Sequence, residues 1–456
     1  MVDRAGSTHR RAWLIGLLFL VVVGPWVKHL TVQPASRLAL TAAIVEHGTI
    51  RIDAYEDIVA IDRVDRGGHL YSDKAPGQPF LAVPAYAAAR AVGADSAAVP
   101  RGEGNLTLWW VTLWSSVIPG ALLVVLVAGI CGVGDSRRAT IATIAIAFGT
   151  LLLPFSAELY GHVLATFFGV AAWALVRRGA TPGRVVLAGA MAGLAVLVEY
   201  QIVLFIAIVA TFVLVRLGWR AVAWLALGGA PLGALLLAYQ AAAFGGPFQS
   251  SYGEKPVHAD GGATIVGLPD PRQALEVLFG TRGLLVFAPV VVIGLLGLVR
   301  VARGEGSAAR DEAIVGLAVF LAYWALQAGW PNPWGGEMPG PRYMIPALPL
   351  LAPGIAVVWR RRGALERVAL GWSVTMMTLP LVTLHLVPPG GVTGIQHLRN
   401  IRDFGIAPTV WTLALGPAGW VVYAATIAGA AELLRRDVLA TRSPASAAAP
   451  PSPTPT

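Results

Sequence analysis

At 456 residues and 47.7 kDa the chain is long enough for two or three soluble domains, yet 56% of it is hydrophobic and only 13% is charged. An average soluble domain carries about 25% charged residues, so the composition excludes a soluble enzyme, a disordered protein and a coiled coil and points to a polytopic membrane protein. A single cysteine, Cys131, excludes an intramolecular disulfide and a cysteine-based metal cluster.

A transmembrane helix needs about 20 mostly apolar residues. Twelve runs fit that pattern: 12–31, 105–130, 139–155, 160–176, 184–198, 201–215, 221–242, 283–299, 312–329, 343–359, 368–387 and 409–433. The stretch 184–215 is too long for one span and is interrupted by Glu199, Tyr200 and Gln201, so it reads as two short helices with a polar turn. The first run has a basic flank but no A-x-A site after it, and is expected to stay as an uncleaved span. The expected fold is all-α and polytopic, with about twelve transmembrane helices and both termini cytoplasmic. Residues 1–434 form one transmembrane domain, and 435–456 a mostly disordered, Pro/Ala/Ser-rich cytoplasmic tail.

Alternating these spans sorts the charges. One side holds 20 of the 34 basic residues and 8 acidic ones, a net of +12. The other holds 14 basic and 17 acidic residues, a net of −3. By the positive-inside rule the first side is cytoplasmic. The pI near 10.0 is then a topology signal, and nucleic acid is not an expected partner.

The long connections, 32–104, 243–282 and 388–408, all fall on the outer side, together with the three lysines and seven of the eight histidines. Long loops between spans are usually functional, so the site is expected on that face. In the first loop Ser36–His47 has helical spacing with Gly48 as its C-cap, and reads as a helix lying on the membrane surface. A hairpin is expected from Ile58–Val64 and His69–Ser72 around Asp65-Arg66-Gly67-Gly68. Next come the charge pair Asp73-Lys74 before a Pro-Gly turn and a second interfacial helix over 80–92. Ionisable groups at membrane depth are costly and are candidates by default: here His162 and Glu199, with Glu158 close by, and Arg37 on the first loop helix. Phe244-Gly-Gly-Pro-Phe248 leads to Tyr252 and Lys255. Trp330-Pro-Asn-Pro-Trp334-Gly-Gly-Glu337-Met-Pro-Gly-Pro-Arg342-Tyr343 joins two spans. An arginine at a helix N-terminus adds a phosphate-matching fork to a dipole that already favours anions. Arg342 and Lys74 therefore make a sensible phosphate site, with a structural salt bridge from Arg342 to Glu337 or to an acid of the first loop as the alternative.

The string His69-Leu-Tyr-Ser-Asp-Lys-Ala-Pro-Gly77, the long first loop and the Trp334-to-Tyr343 string resemble bacterial membrane glycosyltransferases of the GT-C superfamily. They are most similar to the branch grouped with family 39 and the dolichyl-phosphate-mannose protein mannosyltransferases, whose first loop carries a Y-x-x-K-P-P segment. The resemblance implies about a dozen membrane helices and an extracytoplasmic site in the bacterial inner membrane. It implies a polyprenyl-phosphate-linked sugar as donor, a glycan, lipid or protein as acceptor, and inverting single displacement with an acidic base. Relatives usually carry an acid just after the first span; here that stretch reads Val32-Gln-Pro-Ala-Ser-Arg37. The base is then expected from Asp53, with Asp62 and Asp73 next and Glu199 after them. Outer carboxylates could hold a divalent ion, but no ligand spacing specifies one. Two other classes stay open: a lipid or glycan transporter or flippase, and a non-catalytic membrane partner on a GT-C-like fold.

Overall fold

The computed structural model describes residues 2–97, 105–133, 136–254, 266–304, 306–359 and 363–440. The tail beyond 440 and Lys255 lie outside the described residues. The chain is helical apart from one hairpin, β1 (Arg63–Arg66) paired antiparallel with β2 (His69–Ser72).

Twelve membrane spans are not found. Among the described residues four helices are long and apolar enough to cross a bilayer: Leu106–Cys131, Tyr200–Leu217, Trp219–Phe244 and Ala308–Ala328. A fifth is counted if Pro271–Phe287 and Val290–Ala302, which meet at 97°, make one broken span. The apolar runs were real, but backbone breaks cut them short. Gly149-Thr150 divides 139–155 into Arg137–Gly149 and Leu152–Ser156, and Gly416-Pro417 divides 409–433 into Val410–Leu415 and Ala418–Ala440. Arg342–Leu351 is a 3-10 stretch containing Pro346 and Pro349. Gly161–Val176 has 16 residues, a rise of about 24 Å against a hydrocarbon core of about 30 Å.

Most helices share one large apolar core. Glycines let two of them touch: Pro182–Val198 and Trp219–Phe244 meet at Gly189 and Gly228, where a Cβ on either would run into the opposing backbone. A second, smaller core belongs to the first connection and joins Leu38, Tyr55, Tyr86, Tyr239 and Phe244.

The expected surface helix is in fact an inner one. Val32–His47 buries every residue from Pro34 to Ala43, and it packs on Gly77–Ala91. Its C-cap is Gly48 at φ 64°, with the Thr49 amide reaching back to the Ala43 carbonyl. The hairpin is shorter than its apolar run. Ile58 and Val59 lie in the one-turn helix Glu56–Val59, and Asp65 and Arg66 belong to β1, leaving Gly67-Gly68 at φ 62° and 76° as a two-residue turn.

Candidate active site

The end of β2 is fastened to the first connection's inner helix. Ser72 Oγ lies 2.8 Å from Ser36 Oγ, and Ser251 Oγ donates to the Asp73 carbonyl at 2.7 Å. These bonds fix Asp73-Lys74 where the chain turns inward. Lys74 Nζ lies 3.0 Å from both Asp73 Oδ2 and Asp62 Oδ2. Burial works against its charge, and so does Arg342, but the two aspartates prevail and hold the Lys74 ammonium above the ordinary lysine value.

Next to Ser36 on the same helix, Arg37 forms an ion pair with Glu199. Both are buried. Glu199 is the extended residue at which the Pro182–Val198 helix stops, and Gly161 leaves room for its carboxylate, since a Cβ there would collide with it. Arg37 Nε and Nη1 have no hydrogen-bond partner among the described residues.

Arg342 opens the 3-10 stretch and is 7% exposed. With the Gln33 amide assigned so that its oxygen faces the guanidinium, that oxygen accepts from both terminal nitrogens of Arg342, at 2.7 and 2.8 Å. Its Nη2 also donates to Tyr343 Oη at 3.3 Å. The guanidinium carbon stands 5.9 Å from the Tyr160 ring and 5.2 Å from the Tyr343 ring, a cation–π arrangement. Among the described residues no carboxylate pairs with it. The Tyr343 amide donates to Gln327 Oε1 at 3.0 Å, which sets the start of the stretch. His162 stacks on Tyr160 and meets Tyr343 edge-on; Arg342, Arg37 and Lys74 are all within electrostatic reach of it. The rings continue from Tyr343 through Trp330 and Tyr252 to Tyr200, beside Glu199.

Asp62, Asp73, Lys74, Arg37, Glu199, His162, Tyr252, Arg342 and Tyr343 thus come together from distant parts of the chain. Three expected residues stand elsewhere. Asp53 is half-exposed and braces the hairpin, accepting from the Leu70 amide at 2.5 Å and lying 2.9 Å from His69 Nδ1. Partial burial opposes its charge, but those two partners hold the carboxyl below its ordinary value. Trp334 packs under Arg282 at 5.8 Å. Glu337 is exposed and makes no bridge to Arg342; its carbonyl accepts from the Val387 amide at 3.0 Å.

Sequence reasoning missed the neutral partners Gln33, Tyr160 and Gln327. It also missed a buried ion cluster. Glu158 Oε1 lies 2.8 Å from His385 Nδ1 and 3.5 Å from Lys28 Nζ. Lys28 also donates to the carbonyls of Pro380, Leu381 and Thr383, and His385 Nε2 is 3.3 Å from Tyr160 Oη. Glu158 and Lys28 stood out as charges near spans, but nothing local in the sequence pairs them with His385.

The architecture has a solved counterpart. The crystal structure of ArnT from Cupriavidus metallidurans bound to undecaprenyl phosphate superposes with a TM-score of 0.52 at 14% identity, over 94% of this chain and 72% of that one. The same protein in the apo state gives 0.51 at 15% identity, over 93% and 71%. The fold is that of ArnT. At these identities the likeness is one of fold alone. No protein-family profile matches the chain, and no curated protein matches it at a significant level.

Proposed function

We propose that the chain is a membrane glycosyltransferase that moves a sugar from a polyprenyl-phosphate donor to an acceptor hydroxyl on the extracytoplasmic face of a bacterial inner membrane. The observation that carries this reading is Arg342, a buried guanidinium whose hydrogen bonds all go to neutral groups. Among the described residues no carboxylate is in ion-pair contact with it and Glu199 acts on it only at longer range, so the partner that suits its fork is an anion. A phosphate ester offers the paired oxygens that an arginine fork matches. Two further buried nitrogens, Arg37 Nη1 and His162 Nε2, are without hydrogen-bond partners among the described residues. ArnT, whose fold the chain shares, is crystallised with undecaprenyl phosphate. The stretch where the resembled family carries an acid supplies Gln33 here, so Arg342 meets a neutral acceptor at that point.

The reaction is an inverting single displacement. The acceptor oxygen bonds to the anomeric carbon as its proton passes to an aspartate. The bond from that carbon to the phosphate oxygen breaks, and its electron pair leaves on the phosphate, where Arg342 and Lys74 meet the charge. Asp73 and Asp62 flank Lys74 and suit the base; Asp53 is engaged in the hairpin. The acceptor is a glycan, lipid or protein hydroxyl.

The test is transfer of radiolabelled sugar from a polyprenyl-phosphate donor in membranes carrying the protein. Arg342→Gln is expected to cost about 10²–10³-fold, and Asp73→Asn or Asp62→Asn about 10²–10⁴-fold. Wild-type membranes without transfer would sink the reading. Full activity in both aspartate variants would remove the base from this pair. Movement of the lipid across liposomes without transfer would make the protein a transporter.

A further inference from the structure

The helix Ile395–Phe404 turns His397 and Asn400 inward. His397 and Asn400 are buried; Asn400 Nδ2 donates to the carbonyls of Leu384 and Leu386 at 2.8 and 3.0 Å, and His397 Nε2 lies 3.2 Å from the His385 carbonyl. Facing away are Ile395 and Leu398, 53% and 60% exposed, one helical turn apart. Phe404 and Ile406 extend the apolar edge at 55% and 54%. Arg399 and Arg402 stand exposed among them. Arg402 lies 2.7 Å from Asp403, and Arg399 makes no ion pair among the described residues.

This arrangement is backwards for water, where a helix keeps its apolar face to the protein. It is also wrong for the hydrocarbon interior, where two arginines and an aspartate are costly. The boundary between the two satisfies both sets, because the apolar side chains can enter the acyl region while the guanidinium groups reach lipid phosphates. We propose that Ile395–Phe404 is a membrane-surface helix seated on the phosphate layer of phospholipids, with Arg399 and Arg402 as its phosphate contacts. This holds independently of the transfer reaction.

The helix is also fastened to the frame of the candidate site. Just before it, the Thr393 amide donates to the Thr281 carbonyl at 3.1 Å, and Thr393 Oγ1 to the Pro339 carbonyl at 2.6 Å. Arg282 bonds the carbonyls of Gly336, Met338 and Pro388. The lipid surface therefore sets the level of the loop that leads to Arg342.

The full chain, with Cys131→Ser to remove its one cysteine, can be spin-labelled at Leu398→Cys or, separately, at Ile395→Cys, in nanodiscs of phosphatidylcholine and phosphatidylglycerol. A label at the exposed Asp57→Cys reports water. Labels at 398 and 395 are expected to be several-fold more accessible to oxygen than to a water-soluble nickel chelate, with the reverse at 57. Arg399→Glu should shrink that contrast at 398. A profile at both positions equal to that at 57 would overturn the proposal. So would labels shielded from both reagents in a protein that elutes as a dimer, which would assign this face to a second copy.

Discussion

Two buried charge clusters lie on either side of the Tyr160 ring, and they are built differently. On one side Lys28, Glu158 and His385 answer one another, and the ammonium also caps the carbonyls that end the Ala364–Val382 helix. On the other side the described residues place Gln33, Tyr343 and two ring faces against Arg342, with Glu199 acting at longer range. The first cluster balances its charge within the protein. The second holds a cation with no contacting carboxylate among the described residues. Burial alone does not separate a structural charge from a functional one; the chemistry of the partners does.

The largest effect is expected at Glu158. Glu158→Ala strands Lys28 and His385, and the expected loss is about 3–5 kcal/mol of stability, read as a lower melting temperature in detergent. An unchanged melting temperature together with lost donor binding would move this cluster from framework to site. The next effect is sharper in meaning. Gln33→Glu gives Arg342 the carboxylate it lacks, so polyprenyl-phosphate binding should weaken by about 10–100-fold, the worth of a charged hydrogen bond, while the melting temperature holds or rises. Tighter binding would mean that Arg342 does not receive the phosphate.

The smallest effect is expected at the hairpin. Asp53 has a lowered carboxyl value, so its contribution is present above the unfolded value and fades as the pH falls below about 4. It is half-exposed, and Asp53→Asn should cost under about 1 kcal/mol. Hydrogen exchange at the Leu70 amide is the measurement: protection should fall in the variant at neutral pH, and in the wild type only on acidification. If Asp53→Asn instead abolishes transfer while Leu70 stays protected, Asp53 is the base.

Local features were legible in the sequence. The Gly48 cap, the Gly67-Gly68 turn and the break at Glu199 all follow from backbone chemistry within a few residues. The helix over 36–47 was also visible, but its burial was not, because a mixed apolar and polar pattern fits a protein groove as well as a membrane surface. The span count failed for a related reason. Apolar runs of 15 to 20 residues look alike whether they cross lipid or stop at a glycine or proline pair inside a helical core. The site was half legible. Charged residues stand out in so apolar a chain, and Arg37, Lys74, Glu199 and Arg342 were found that way. Their pairing was not visible, since Arg37 meets Glu199 across 162 positions. Gln33 and Tyr160 carry no charge to draw attention.

One feature sets the reach of Arg342. A 3-10 helix climbs about 2.0 Å per residue and an α-helix about 1.5 Å. Over the ten residues of Arg342–Leu351 the tighter coil therefore extends about 5 Å farther, nearly one α-helical turn. In an α-helix the rings of Pro346 and Pro349 would clash with the carbonyls of Arg342 and Ile345, which disfavours the shorter form. Slender coiling places the guanidinium at a depth that a standard helix of the same length would not attain.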